Sequence, residues 1–304
     1  MLQKYRDPYS QKSDYPQYFT IETCDNCNAK CVMCPRGQKG IEELRIMSDE
    51  LFIKILQELA PHATDIKMIS MNSDNEPLID PCLGDRIGKL KKIGIKHIYL
   101  ATNASLMTVE KSRQLLANGL DDIRISLDAF SKSTYEVVRR GLDYNTVIRN
   151  IENLIALRDS EFQQTEIRLR MVELPQNLHE RGEWLAYWHG KLLGEKDKVQ
   201  LMPMHSWSGI MEEEPVEDIE FYASIPCVSP FTSMCINYDG RVQLCDSDVE
   251  QQVIMGDINK QTITEVWQNE KFIKIRELHC RGRRNVIPIC RGCDHWSRQF
   301  KEDI

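Results

Sequence analysis

Three observations predict an α/β fold: a partial (β/α)6 barrel of the TIM type, followed by a small C-terminal β-hairpin-plus-helix domain. First, short apolar segments and amphipathic segments alternate six times between residues 18 and 203. Such alternation implies a parallel sheet with helices outside it, and six units fit an open barrel better than a closed eight-fold one. Second, four cysteines crowd into residues 24–34, directly after the first apolar segment. Third, six of the eleven cysteines fall in the last eighty residues, where the alternation has stopped.

The elements follow in order. Residues 1–17 form a polar extension without the apolar core of a secretion signal. The barrel, 18–203, has candidate strands at Tyr18–Glu22, Asp65–Met71, Lys96–Ala101, Asp122–Leu127, Glu166–Val172 and Lys198–Met202, each short, apolar and often β-branched. Between them lie helical patterns. In Ser48–Ala60, Ser48 is the N-cap, acids fill the first turn, and Leu51, Phe52, Ile55, Leu56 and Leu59 share one face before Pro61. Similar patterns run through Gly84–Ile93, Thr108–Asn118, Asn145–Leu157 and Asn177–Leu193. Residues 204–224, with the acidic run EEEPVED, read as a linker with a solvated surface. The C-terminal domain, 225–304, opens with two short strands around the turn Tyr238-Asp239-Gly240-Arg241.

Composition narrows the function. Of 304 residues, 41% are hydrophobic, which supports a full core, and 28% are charged, which supports a solvated surface. A net charge of −7 weighs against broad nucleic-acid binding, which needs a basic face. No run approaches the roughly 18 apolar residues of a membrane span. A chain without an export signal and with this many cysteines points to metal use in the reducing cytoplasm.

Cys27, Cys31 and Cys34 form a C-x3-C-x2-C run. Three thiolates in one loop can wrap three corners of a cubic iron–sulfur cluster and leave the fourth iron open, whereas an ordinary ferredoxin site closes with four cysteines. An open position suits a reactive metal centre. Zinc is the alternative, with Cys24-x2-Cys27 and Cys31-x2-Cys34 as two pairs, although the gap between them is too short for a zinc ribbon. Further polar turns follow successive strands: Asn72-Ser73-Asp74-Asn75-Glu76-Pro77, Thr102-Asn103-Ala104 and Ser126-Leu127-Asp128. Chemistry in such barrels collects at these carboxyl ends.

In this loop and these turns, the chain resembles the radical S-adenosylmethionine (SAM) superfamily. The resemblance implies a [4Fe-4S] cluster on Cys27, Cys31 and Cys34 whose open iron holds SAM, and reductive cleavage of SAM to a 5′-deoxyadenosyl radical. It implies SAM contacts from Met33, Glu76, Asn103, Ser126, Asp128, Arg139 and Arg170. Arg170 shares one strand face with Arg168, and an arginine at a strand end can clamp a carboxylate. Two departures stand out: Asn75 precedes Glu76-Pro77 where the family carries glycine, and Ala104 follows Thr102-Asn103 where it favours glycine.

The C-terminal segment resembles the Twitch half-domain, a shortened SPASM domain. That resemblance implies one auxiliary [4Fe-4S] cluster on Cys227, Cys245, Cys290 and Cys293, and a helix pattern from Gly256 through Arg276. Zinc shares the thiolate geometry and stays open as an alternative for these four. Cys235 and Cys280 are candidate hydrogen-atom donors, with Cys280 favoured because His279-Cys280-Arg281-Gly282 reads as an exposed basic loop. The kind of enzyme resembled is the Twitch type of natural-product sugar and aminocyclitol metabolism. The expected reaction is hydrogen abstraction from a small polar substrate, giving oxidation or epimerisation, with a flavodoxin or ferredoxin as electron donor and no nucleic-acid or membrane partner. A ribosomal-peptide maturase is the rival enzyme, and a two-cluster electron carrier or zinc scaffold the rival outside catalysis.

Overall fold

All six predicted strands form, and their alternation decides what the barrel holds. The computed structural model describes residues 13–39, 44–211, 225–291 and 293. The strands are β1 (Tyr18–Ile21), β2 (Met68–Ser70), β3 (Ile98–Thr102), β4 (Asp122–Ser126), β5 (Glu166–Glu173) and β6 (Lys198–Pro203), all parallel neighbours in the order β6-β5-β4-β3-β2-β1. In β3 to β5, Ile98, Leu100, Ile123, Ile125, Ile167, Leu169 and Met171 are fully buried under the helices. The alternate residues Tyr99, Ala101, Arg124, Ser126, Arg168 and Arg170 are only partly buried and face the concave side. Apolar burial of roughly 1.5–3 kcal/mol per large side chain therefore acts on the outer face, which leaves the inner face free to be polar.

The helices begin where short polar side chains can cap them. Ser48 accepts from the Leu51 amide ahead of α2 (Asp49–Leu59), Thr108 from Lys111 ahead of α4 (Val109–Ala117), and Asp143 from Thr146 ahead of α6 (Tyr144–Glu161). Each cap is worth about 1 kcal/mol. The five-residue α1 (Pro35–Lys39) and α3 (Leu83–Lys92) complete the first half. Two expectations change. Residues Lys132–Val138, for which the sequence reading gave no element, form helix α5, capped by Ser131. The expected helix Asn177–Leu193 splits into a 3-10 turn, Leu178–Glu180, and α7 (Arg181–His189). Asn177 is held out of the helix because it brackets the strand ends: its Oδ1 accepts from the Leu174 amide and its Nδ2 donates to the carbonyls of Asp128 and Val172, each at 2.8 Å.

The C-terminal segment continues the same sheet. After the four-residue α8 (Ser229–Thr232), β7 (Ser233–Ile236) pairs in parallel with β1, and β8 (Arg241–Gln243) and β9 (Ile254–Asp257) add antiparallel strands, giving a nine-stranded sheet among the described residues. Gly240 takes φ +88° in the β7–β8 turn, where a Cβ would lie 2.4 Å from Asn259 Nδ2. The expected helix pattern from Gly256 begins instead with a strand, and its helices are α9 (Ile263–Trp267) and α10 (Glu270–Cys280), followed by the short α11 (Pro288–Arg291). Of the presumed linker, residues 204–211 pack on the barrel; the acidic run lies outside the described residues.

Candidate active site

The cysteine loop leaves β1 at the carboxyl end of the sheet and is fastened from two sides. The Lys30 and Val32 amides donate to the carbonyls of Arg140 (2.8 Å) and Val138 (3.0 Å), so the loop runs beside the end of α5. On the other side, the Glu76 amide donates to the Asn26 carbonyl at 2.9 Å. Gly37 lets α1 tuck under the loop: a Cβ there would lie 2.7 Å from the Cys31 carbonyl oxygen and 2.8 Å from its nitrogen. Arg36 grips Asp74 with Nε at 2.8 Å and Nη2 at 3.1 Å, tying the helix to the turn after β2. Sequence reading missed both residues; their signal is position, two and three residues beyond Cys34.

The thiols expected to hold the clusters lie in buried, charge-sensitive surroundings. Burial first, then Glu76, Cys31 and Cys34, push the Cys27 thiol up to about 12, and burial likewise raises Cys34. Buried thiols whose ionisation is opposed, as at Cys27 and Cys34, are donors that a cationic metal centre relieves. Cys24 stands apart: it is fully buried, and its sulfur accepts from Asn75 Nδ2 at 3.2 Å. In the C-terminal segment, burial first and then Cys293 raise Cys227 to about 12, while Cys245 is raised by burial and by Asp246, Cys293, Cys235 and Cys290. Cys227, Cys290 and Cys293 thus lie within reach of one another's charge, and Cys245 within reach of Cys235, Cys290 and Cys293. Among the described residues, no three His, Cys, Asp or Glu side chains are spaced for a single metal ion. His279, missed from sequence, lies among the sulfurs: its Nδ1 accepts from the Cys227 amide at 3.1 Å and its Nε2 is 3.9 Å from Cys290 Sγ. Burial and Arg284 hold its pKa down to about 3, so the ring is neutral.

The strand-end residues form one connected bracket. Glu76 is buried, with Oε1 accepting from Thr102 Oγ1 at 2.6 Å and the Leu78 amide at 3.2 Å, and Oε2 from the Asn103 amide at 2.8 Å. Burial raises its pKa against the pull of these hydrogen bonds. Asn103 Nδ2 donates to Asn28 Oδ1 at 3.0 Å, reaching the cysteine loop. The residue after it, Ala104, takes φ +59°, the conformation glycine would adopt without strain. Asp128 is fully buried; Oδ1 accepts from the Val172 amide at 2.6 Å and Oδ2 from Arg139 Nε at 2.5 Å. Arg139 in turn points Nη1 at Cys31 Sγ, 3.5 Å away. Met33 is buried, and its carbonyl accepts from Trp207 Nε1 at 3.0 Å, so the segment after β6 closes over the loop. Trp207 carried no signal in the sequence beyond the HSWSG run.

Below this rim lies the lumen. Tyr18, Thr20, Tyr99, Ser233, Cys235 and Asp246 line a cavity of about 230 Å³. Cys235, in register with Thr20, faces this cavity rather than an apolar core. Cys280, expected in an exposed loop, is instead the half-buried last residue of α10, because the helix continues through His279. On the β4–β5 wall, Arg124 lies 3.5 Å above the Tyr99 ring centroid, and Ser126 is in register with Arg170.

Comparison with known proteins agrees with this arrangement. A family model described as the Radical SAM superfamily matches residues 21–178, and one described as an iron-sulfur cluster-binding domain, SPASM, matches 227–294. The S-adenosyl-L-methionine-dependent 2-deoxy-scyllo-inosamine dehydrogenase of Niallia circulans is 22% identical over 93% of this chain and 94% of its own length. A GTP 3′,8-cyclase of Limosilactobacillus fermentum is 27% identical over 56% of this chain, which spans half of the cyclase's length. The crystal structure of BtrN in complex with AdoMet and 2-DOIA superposes with a TM-score of 0.64 and 19% identity, covering 92% of this chain and 93% of that one.

Proposed function

Because the chain belongs to the radical SAM superfamily, we propose that it is an oxidoreductase or epimerase that removes a hydrogen atom from a carbon of a small polar substrate held in the lumen. It is an enzyme whose cofactors are SAM, a [4Fe-4S] cluster and an auxiliary iron–sulfur cluster. When bound, the first cluster and SAM supply the 5′-deoxyadenosyl radical. Cys27, Cys31 and Cys34 are the ligands assigned to that cluster, and Cys227, Cys245, Cys290 and Cys293 those of the auxiliary one. Arg139, beside Cys31, is assigned to the SAM carboxylate. Asn103, Glu76 and Asp128 fix the strand ends around it, Ser126 stands at the end of β4 beside them, and the Met33 carbonyl is held by Trp207.

The observation that carries the substrate reading is the cavity. Its volume of about 230 Å³ falls below the roughly 300–1,000 Å³ of drug-sized sites, and its lining joins apolar Phe19 and Met68 to the hydroxyls of Tyr18, Thr20, Tyr99, Ser229 and Ser233, a thiol and an acid, which suits a small hydroxylated molecule. The dehydrogenase likeness over nearly the whole chain supports the same substrate class. Burial and Asp246 raise the Cys235 thiol, which keeps the S–H intact. A thiol so placed can return a hydrogen atom to a substrate radical, the step epimerisation needs; oxidation withdraws a proton and an electron instead.

The reading is tested by anaerobic reconstitution with a strong reductant and SAM. Cys27→Ala, Cys31→Ala and Cys34→Ala each abolish 5′-deoxyadenosine, and Cys24→Ala does not; dispensability of Cys27 would refute the assignment. With a substrate in hand, turnover in deuterated water separates the outcomes. Deuterium gained at carbon and lost in Cys235→Ala identifies epimerisation, and a product two mass units lighter identifies oxidation.

A further inference from the structure

The β4–β5 wall carries three arginines against two acids. The β4–β5 wall presents Arg124, Arg168 and Arg170 on its inner face. The wall's two acids serve the first two. Asp122 takes Arg124 Nε at 2.9 Å and Arg168 Nε at 3.2 Å, and Glu166 takes Arg168 Nε at 2.8 Å. Arg170 is left over, with its Nε buried and without a hydrogen-bond partner. Burial first, and then Arg124, hold its basicity down to about 10. The cavity by the cysteine loop is different: there Arg36 is paired with Asp74, Arg45 with Asp25 and Arg241 with Asp239. Arg170 is half-buried, and the nearest acid, Asp122, is already engaged by Arg124 and Arg168, so this guanidinium has charge left for an anion that the protein does not supply. The guanidinium fork matches the paired oxygens of a carboxylate or phosphoryl group. SAM has a carboxylate of its own, but Arg139, 3.5 Å from Cys31, is the arginine at the cysteine loop.

We propose that Arg170, backed by Arg124 and Arg168, is an oxyanion receptor, so that the substrate carries a carboxylate or phosphoryl group on the side facing β4 and β5. This rests on the reading of the lumen as the reaction chamber. The opposite wall, with Thr20, Ser233, Cys235 and Asp246, then meets the hydroxylated end. An aminocyclitol with a protonated amine against the arginines is disfavoured.

The test measures binding to the reconstituted holoenzyme with SAM present, using glucose 6-phosphate, glucuronate, glucosamine and inorganic phosphate as probes. At least one of the two sugar acids binds, and which one separates a phosphoryl from a carboxylate group; glucosamine does not bind. Arg170→Met weakens the sugar acid at least tenfold, leaves SAM affinity by equilibrium dialysis unaltered, and melts no lower than wild type in anion-free buffer. Arg170→Lys, which keeps the charge and loses the fork, weakens the acid less than Met does. Preference for glucosamine, failure of all the anions to bind, binding of inorganic phosphate alone, anion binding indifferent to Arg170→Met, or loss of SAM affinity in its place overturns the proposal. Wild-type preference decides even if the Met variant fails to fold. Because binding is read without turnover, an enzyme that binds the acid but forms no 5′-deoxyadenosine sinks the reaction reading alone.

Discussion

Arg139 Nη1 lies 3.5 Å from Cys31 Sγ, while its Nε and Nη2 each hold Asp128 Oδ2 at 2.5 Å. One side chain thus joins the cysteine loop to the ends of β4 and β5. Arg139→Met leaves the fully buried Asp128 carboxylate without its cation, and removing one partner of a buried pair costs about 3–5 kcal/mol. Urea unfolding of the apoprotein should show a loss of that size. Arg139→Lys should recover most of it, since an ammonium still faces the carboxylate. An unchanged urea midpoint in Arg139→Met would mean that the pair contributes nothing to the bracket.

Gly37 bears on metal loading. An added methyl would press on the backbone of Cys31 at 2.7 Å and 2.8 Å, and backbone yields less readily than a side-chain tip. Gly37→Ala should cost about 1–3 kcal/mol by overpacking and displace Cys31. With two four-iron clusters the wild-type protein carries about eight irons, and the variant should carry about half after anaerobic reconstitution. Full iron content in Gly37→Ala would show that the loop can shift without harm.

Ala104 is a site where a smaller residue should stabilise the protein. Left-handed backbone costs a non-glycine residue about 1–2 kcal/mol, and burying its methyl contributes about 0.8 kcal/mol. Ala104→Gly should therefore gain up to about 1 kcal/mol in thermal or urea unfolding, with the site intact. A clear loss of stability would show that the methyl packs better than its φ of +59° suggests.

The far side of the barrel sets an acid limit. Arg158 Nη1 donates to Asp197 Oδ1 at 2.7 Å, both groups are buried, and Asp197 also accepts from the Ile167 and Leu193 amides. Burial opposes its ionisation, but these hydrogen bonds and Arg158 prevail and lower its pKa. A depressed carboxyl contributes stability above its unfolded value, about 3.9, and loses it as pH falls through the folded value. Asp197→Ala should cost about 3–5 kcal/mol at pH 7, with the difference from wild type narrowing below about pH 4. A difference that does not vary with pH would assign the loss to packing.

The strands were legible because each needs only a few residues and an apolar outer face; β4 and β5 match their expected ranges to within one residue at their ends. The cysteine loop and polar turns were legible because ligand spacing is local. What sequence could not reveal is which long-range partner claims a residue. Asn177 looks like part of a helix until it is seen bracketing Asp128 and Val172. Cys280 was drawn into a loop by its basic neighbours, whereas the N-cap at Asn269 starts a helix that carries it along. Arg170 and Arg139 are equivalent as letters; only the pairing of Arg170 within the β4–β5 wall, and the hydrogen bonds from Lys30 and Val32 to the residues beside Arg139, separate the wall from the cysteine loop.

The parallel pairing of β1 with β7 makes the two cysteine-rich parts inseparable as expression units. A fragment ending before residue 225 would keep β1 but strip one side of it, leaving a row of unanswered amides and carbonyls from Tyr18 to Ile21 beside apolar Phe19 and Ile21. Such an edge recruits other chains. The isolated barrel should therefore self-associate through β1, and the C-terminal part, having lost the strand that templates β7, should need that barrel to fold upon.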